Sequence, residues 1–225
     1  MCGRFAQTTP ADVLVRLFKL VRPISVSPRF NLAPTQPVVA IRASPEGRFH
    51  QHLRWGLVPP WAPDLKHGAR LINARSETIF SKRSFAEAAR HRRCIIPASG
   101  FYEWENTPRG KLPILFKPET DPVLCLAGLW STWADSSGAV TYTATILTAE
   151  ANRTMQPYHS RMPVILQGSD VDTWLDASIC DPTPLRPLLR PAGEAALKTM
   201  ALTARVNKVS HDDPLCWDPR QSGHQ

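Results

Sequence analysis

Three short stretches of the chain carry apolar residues at helical spacing. The first follows Thr9–Asp12, where a threonine N-cap and a proline at the first helical position precede Val13, Leu14, Leu17 and Phe18. A capping box at Ser84–Glu87 starts a second helix that ends near Arg92. Ser169 marks the start of a third, ahead of Trp174. The pattern therefore predicts three modest helices.

The other apolar runs are rich in β-branched and aromatic residues and lie between turn-forming residues, which is typical of strands. We predict strands at Pro37–Ala43, Phe49–Leu57, Cys94–Trp104, Val123–Trp133, Val140–Thr148 and Pro163–Leu166. Twenty-two prolines divide this material into short strands and long loops. We expect an α+β fold with a curved, mainly antiparallel β-sheet or barrel-like core and a few short helices.

Length and composition limit the organisation of the chain. With 225 residues and 43% hydrophobic content it can bury a large core, so we expect one domain over residues 1–225 with a flexible tail after about residue 218. No run of about 18 apolar residues and no secretory signal are present, which favours an intracellular protein without membrane contact. The net charge of +8 suits a polyanionic partner, although an indifferent basic surface explains it equally well.

The five cysteines are scattered, and none forms a CxxC pair. This spacing argues against a disulfide framework and a structural zinc site, so we predict free thiols, four of them in the core, and neither a metal nor a cofactor. Cys2 differs from the others because removal of Met1 would leave it with a free α-amine. An amine and a thiol two carbons apart are able to condense with an aldehyde.

Several polar residues lie in patterns that suit chemistry. An extended backbone at residues 71–77 would place Asn73, Arg75 and Glu77 on one face. Glu103 shares a face with Phe101, so its carboxylate could be partly out of water and serve in proton transfer. A surface glutamate in a salt bridge is the alternative for this position.

The segment around His159 and the tryptophan-proline segment each allow two interpretations. The proline at position 163 keeps its neighbourhood extended, so His159 and Arg161 share a face and would suit proton transfer beside a phosphate; a structural histidine is the alternative. The residues Trp55, Pro59, Pro60 and Trp61 could form an aromatic shelf for unstacked bases or a corner of the core.

Seven motifs resemble those of one known family, in the same order and over nearly the whole chain. They are MCGRFA at the start, RFNLAP at 29–34, WGLVPPW at 55–61, INARSET at 72–78, RRCIIPASGFYEW at 92–104, HSRMP at 159–163 and VNKVSHDDP at 206–214. This combination resembles the SOS response-associated peptidase family, whose members process abasic sites and attach covalently to damaged single-stranded DNA. The segment 182–196 and the tail resemble the family least, and we transfer no role to them.

The resemblance implies a role for Cys2 and for its neighbours. The α-amine of Cys2 would attack the aldehyde of an abasic site, and its thiol would close a thiazolidine ring. By the same resemblance Asn73 would orient the amine or the sugar, Glu103 would move protons, and His159 would assist opening of the sugar. The positions expected to hold DNA or shape the site are Arg4, Asn31, Pro34, Trp61, Arg75 and Arg161.

Other activities remain open at this point. The Schiff base could also cleave the strand as a lyase, and the same machinery could remove an N-terminal extension as an autopeptidase. A cysteine hydrolase would use Cys2, His159 and Glu103 as nucleophile, base and orienting acid. A non-covalent nucleic-acid-binding module would make Cys2 incidental.

The remaining expectations concern context. Single-stranded DNA with abasic sites is the expected partner, and replication-fork proteins are candidates for others. We expect a monomer, located in the cytoplasm at the nucleoid if the source is bacterial.

Overall fold

The computed structural model describes residues 2–108 and 110–220. The α-helices are α1 Ala11–Phe18, α2 Ala86–His91 and α3 Ser169–Leu175. The strands, in chain order, are β1 Phe5–Gln7, β2 Arg29–Leu32, β3 Pro37–Ser44, β4 Gly47–Trp55, β5 Asn73–Arg75, β6 Arg93–Ala98, β7 Gly100–Thr107, β8 Gly110–Pro118, β9 Leu124–Ala134, β10 Val140–Glu150, β11 Arg161–Pro163, β12 Ile165–Leu166 and β13 Leu197–Ala201. The predicted α+β fold with a few short helices is confirmed.

Strands β3, β4, β6, β9 and β10 close into a barrel. Strand β3 pairs antiparallel with β4 and β6, and β9 pairs antiparallel with β6 and β10. The ring closes where β10 runs parallel to β4 at the pairs Thr143–Arg54 and Ala144–Trp55. The short strands β5 and β11 both pair with β10, and β12 pairs with β9. The barrel-like core predicted from the strand-rich sequence is therefore present.

A second, antiparallel sheet has the strand order β13–β8–β7–β1–β2. The predicted strand Cys94–Trp104 is divided between the barrel strand β6 and strand β7 of this sheet. Ser99 marks the crossing, where its N–H donates to the Ala6 carbonyl at 2.8 Å and its hydroxyl accepts the Thr8 N–H at 2.8 Å. A Cβ on Gly100 would lie 2.8 Å from the Phe116 carbonyl oxygen, so the close crossing requires glycine.

The alternation of strand β3 separates two cores. Val38 and Ala40 face a core that also contains residues of the second sheet, whereas Val39 and Ile41 face the core covered by the helices. Phe5 of the second sheet meets Trp55 of the barrel edge to face, with ring centroids 4.9 Å apart. The first of these cores therefore joins the barrel to the second sheet.

Local details differ from the predictions. Helix α1 has Pro10 as its N-cap with no side-chain cap, because the Thr9 hydroxyl lies 3.0 Å from the Ser99 hydroxyl instead. The predicted capping box of α2 is also wrong, since Phe85 is the N-cap and no side chain caps it. The predicted strand at 163–166 is split between β11 and β12.

No helix within the described part of the chain is both long and apolar enough to cross a membrane.

The cysteines are free thiols, as predicted. Cys2, Cys94 and Cys216 are buried, and Cys125 is half-buried. Cys180 is exposed, which corrects the prediction that four cysteines lie in the core. Near the C-terminus, the Arg220 N–H donates to the Ala201 carbonyl at 2.9 Å, and the rest of the predicted tail lies outside the described residues.

Candidate active site around Cys2

Cys2 lies three residues before strand β1 and is fully buried in the core that joins the barrel to the second sheet. Its Sγ is 3.8 Å from the carbonyl oxygen of Arg4. The Tyr102 N–H donates to that same carbonyl at 3.0 Å, which attaches the start of the chain to strand β7. The second residue of the chain is therefore held between the two sheets.

Asn73 reaches Cys2 from the barrel side. Strand β5 runs parallel to β10 and places Asn73 opposite Ile146. The Asn73 Nδ2 donates to the Cys2 carbonyl oxygen at 2.9 Å. Its Oδ1 is buried and accepts no hydrogen bond from the described residues. An acceptor of this kind beside the Cys2 backbone suits an N–H donor.

Glu103 approaches Cys2 from the second sheet. It lies on β7 opposite Ile114 and is only 6% exposed. Burial raises the pKa of the Cys2 thiol far above its ordinary value, and the negative charge of Glu103 raises it further. The thiol therefore keeps its proton at neutral pH, and a carboxylate lies close enough to influence it.

His159 ends a loop between β10 and β11. The backbone N–H of Arg161 donates to its Nδ1 at 2.9 Å, so the neutral imidazole carries its proton on Nε2. The preceding residue, Tyr158, packs its ring edge to face on Phe116, with centroids 5.3 Å apart. Through Tyr158 the loop contacts the same core that contains Cys2.

The predicted basic residues near this loop have different surroundings. Arg161 forms a two-pronged salt bridge with Glu77, with N–O distances of 2.6 and 2.9 Å, and also donates to the Thr148 carbonyl. Glu77 itself lies in a turn after β5 and is not on the strand face that we predicted. Arg75 on β5 is exposed.

Arg4 and Asn31 hold the C-terminal segment. The Arg4 Nη1 donates to the Asn31 Oδ1 at 2.7 Å and to the Val206 carbonyl at 2.9 Å. Asn31 is fully buried, and its amide donates to the carbonyls of Lys208 and His211 at 2.9 and 2.7 Å. These contacts attach the late motif at 206–214 to strand β2.

The two tryptophans of the tryptophan-proline segment differ in burial. Trp55 is fully buried and donates to the Ile72 carbonyl at 2.9 Å, which agrees with the core interpretation. Trp61 is 44% exposed, with the Arg83 guanidinium 4.5 Å from its ring centroid and His67 edge to face at 5.5 Å. Pro34 is half-buried in the turn after β2.

The family model described as SOS response associated peptidase (SRAP) matches residues 1–209. The chain belongs to this family. It is 36% identical over 218 residues to "Abasic site processing protein YoqW" of Bacillus subtilis strain 168, covering 95% of this chain and 97% of that protein. It is 30% identical to "Abasic site processing protein HMCES" of Gallus gallus, covering 87% of this chain and 67% of that protein.

Solved structures share the fold. A crystal structure of a protein from Bacteroides thetaiotaomicron matches with a TM-score of 0.87 at 22% identity, over 97% of this chain and 100% of that one. One from Bordetella bronchiseptica matches with a TM-score of 0.78 at 26% identity, over 90% of this chain and 100% of that one. The arrangement of barrel and second sheet is therefore shared with these solved structures.

Sequence reasoning did not single out two residues near the site, Trp104 and Glu194. Trp104 follows Glu103 on β7, lies 5.7 Å from the Arg4 guanidinium and donates to Asn207 Oδ1 at 2.7 Å. Its position directly after Glu103 was the available signal. Glu194 contacts the loop of His159 through hydrogen bonds that span 40 or more positions, which no local pattern reveals. Among the described residues, no cluster of histidine, cysteine and acidic side chains is arranged to hold a metal ion.

Proposed function

We propose that this chain processes abasic sites in single-stranded DNA by bonding to them covalently through Cys2 once Met1 is removed. Its membership in the SRAP family and the names of its relatives support the substrate class. The hydrogen bond from Asn73 to the Cys2 carbonyl is the observation that supports the proposed mechanism, because it holds the backbone of the residue whose amine would react.

The chemistry needs no redox partner. The α-amine of Cys2 adds to the C1′ aldehyde of the opened deoxyribose, and loss of one water leaves an imine. The thiol then adds to the imine carbon while its proton passes to the imine nitrogen. The product is a thiazolidine, in which C1′ is bonded to both the nitrogen and the sulfur of Cys2. Tethering of the thiol beside the imine favours this closure.

Asn73 and Glu103 serve different stages of that sequence. The buried Oδ1 of Asn73 accepts an N–H of the α-amine, which directs the nitrogen lone pair at the aldehyde. Glu103 transfers protons during formation and dehydration of the amine adduct. His159 assists opening of the sugar by donating a hydrogen bond from Nε2 to the ring oxygen, since Nε2 is the nitrogen that the Arg161 contact leaves with the proton.

The raised pKa of the Cys2 thiol favours this route over a cysteine hydrolase. A hydrolase needs a thiolate nucleophile, which is promoted by a lowered pKa. Burial and the Glu103 charge act in the opposite direction here. In the amine-first route the thiol reacts only after the imine has formed beside it, so a thiolate is not required at the start.

The DNA contacts divide into exposed and supporting residues. Trp61 and Arg75 are exposed, so they are available to contact bases and phosphates directly. Arg161 has a side chain that is only 14% exposed and is paired with Glu77, so it shapes the site. Arg4 and Asn31 shape the site by holding the segment at 206–214.

Intact-mass spectrometry with an oligonucleotide that contains one abasic site tests this proposal. We expect the wild type to gain the mass of the oligonucleotide less one water and to survive denaturation. The Cys2→Ala variant keeps an amine but has no thiol, so we expect an imine that only borohydride traps. Cys180→Ala, which removes the exposed thiol, should react like the wild type.

Three results would contradict the proposal. A stable adduct from Cys2→Ala without reduction would exclude the thiazolidine. Cleavage of a peptide by the purified protein, with no adduct on DNA, would favour the hydrolase. Binding of DNA that is fully reversible under denaturing conditions would favour a non-covalent module.

A further inference from the structure

The loop at residues 151–160 is a compact turn that ends at His159. The Ala151 N–H donates to the Ser160 carbonyl at 3.0 Å and closes its base. Inside, the Asn152 carbonyl accepts the Met155 N–H at 3.1 Å, and the Met155 carbonyl accepts the His159 N–H at 3.1 Å. A displacement of the first turn is therefore passed to His159 through two hydrogen bonds.

Glu194 binds the first turn of this loop from outside. One carboxylate oxygen accepts the Arg153 N–H at 3.1 Å, and the other accepts the N–H and the hydroxyl of Thr154, both at 3.1 Å. Nearby, the Asn152 amide donates to the Ala192 carbonyl at 3.0 Å. Glu194 thus satisfies backbone donors that the turn itself leaves open, as an N-cap does for a helix.

The segment that contains Glu194 continues into the second sheet. Residues 194–196 form a 3₁₀ turn, and Leu197 then begins β13, which pairs with β8 along five positions. Strand β8 pairs in turn with β7, the strand of Glu103. His159, in contrast, comes from the connection between β10 and β11 at the barrel. Glu194 therefore bridges the second sheet, which supplies Glu103, and the barrel, which supplies His159.

We infer that Glu194 is a positioning residue that sets the place of His159 relative to Glu103, by binding the 151–160 loop to the segment that leads into β13. This inference rests on the proposed function, in which His159 and Glu103 act on the same abasic site. Proton transfer depends on sub-ångström geometry, so a loosened loop lowers the rate without removing any reacting group. The hydrogen bonds to Glu194 also lower the pKa of its carboxyl group, which keeps it ionised at neutral pH.

A double-mutant cycle tests the inference on the full chain. We expect Glu194→Ala to slow adduct formation with abasic DNA by about 10-fold. In a His159→Ala background the same change should slow it less than 2-fold, because the residue that it positions is gone. Glu194→Gln keeps one carbonyl acceptor and should fall between wild type and alanine. Equal slowing in both backgrounds would mean that Glu194 acts through the fold as a whole, and would overturn the inference.

Nuclear magnetic resonance supplies a readout independent of activity. Glu194→Ala should shift the His159 ring signals and speed hydrogen exchange at the Arg153 and Thr154 amides. Glu119→Ala, which removes an exposed carboxylate at the end of β8, is the matched control and should leave both unchanged. If the wild type forms no adduct, the proposed function is wrong. The NMR comparison of Glu194→Ala with Glu119→Ala still shows whether Glu194 positions His159. Unchanged His159 signals in Glu194→Ala would refute the link whether or not the adduct forms.

Discussion

At the residue scale, Asn73 acts on the backbone of Cys2 and not on its thiol. Its Nδ2 donates to the Cys2 carbonyl, while its Oδ1 faces the same neighbourhood without a partner among the described residues. A side-chain amide is suited to this task because it is uncharged and offers both a hydrogen-bond donor and a hydrogen-bond acceptor. Alanine would remove both groups.

We expect Asn73→Ala to slow adduct formation by about 10-fold, the rate equivalent of roughly 1.4 kcal/mol from one hydrogen bond in the site. The product mass should not change, because the amine and the thiol remain. Asn106→Ala, which truncates an exposed asparagine on the same strand as Glu103, is the control. A rate for Asn73→Ala equal to that of the control would show that the Cys2 carbonyl does not need this donor.

At the scale of elements, Arg93 connects two helices that both contact strand β6. It begins β6 and is only 6% exposed. Its Nε donates to the Trp174 carbonyl at 2.7 Å, at the end of α3, and its Nη1 donates to the Ala89 carbonyl at 3.2 Å, in α2. The Trp174 indole donates to the Cys94 carbonyl at 3.0 Å. One guanidinium thus satisfies carbonyls at the ends of both helices.

Replacement of Arg93 by leucine should lower the free energy of unfolding by about 3 kcal/mol, because buried carbonyls lose charged donors. For a chain of this size that corresponds to a fall in Tm of about 9 °C. Differential scanning calorimetry would measure it, with Arg22→Leu at an exposed arginine as the control. A fall of only about 1 °C for Arg93→Leu would mean that the helices are held by apolar packing alone.

At the scale of the whole molecule, stability toward acid depends on carboxylates that are paired in the fold. Glu77 illustrates the effect, because the hydrogen bond from Arg161 holds the pKa of its carboxyl group below the ordinary value of 4.5. A lowered folded pKa contributes stability above the unfolded value, and this contribution is lost as the pH falls through the folded one. The net charge of +8 adds repulsion as further carboxylates are protonated.

We therefore expect the urea midpoint of the wild type to fall more steeply from about pH 5 to pH 3 than that of Glu77→Gln, which has no carboxyl group to protonate. At neutral pH the wild type should be the more stable of the two. The exposed Glu87→Gln variant should follow the wild-type curve. Parallel curves for wild type and Glu77→Gln would show that this salt bridge makes no net contribution to stability.

Much of this protein is determined by the sequence itself. The three helices and the long barrel strands follow from apolar spacing and β-branched runs, both of which act between near neighbours. Order and spacing of the motifs were enough to predict the family, and the position of Cys2 suggested its chemistry. The helices, the strands and each single motif depend on residues close together in the chain, so a local pattern contains them.

Only the tertiary structure decided which strands belong to which sheet and which side chains meet. Strand β8 was missed because prolines interrupt its apolar run, yet pairing with β7 and β13 stabilises it. The division of β6 from β7 at Ser99 arises from contacts with residues 6 and 8. Trp55 and Trp61 look alike in sequence, and packing alone buries one and exposes the other. The physical reason is common to all: these outcomes depend on contacts between distant parts of the chain, which form only once the barrel has closed.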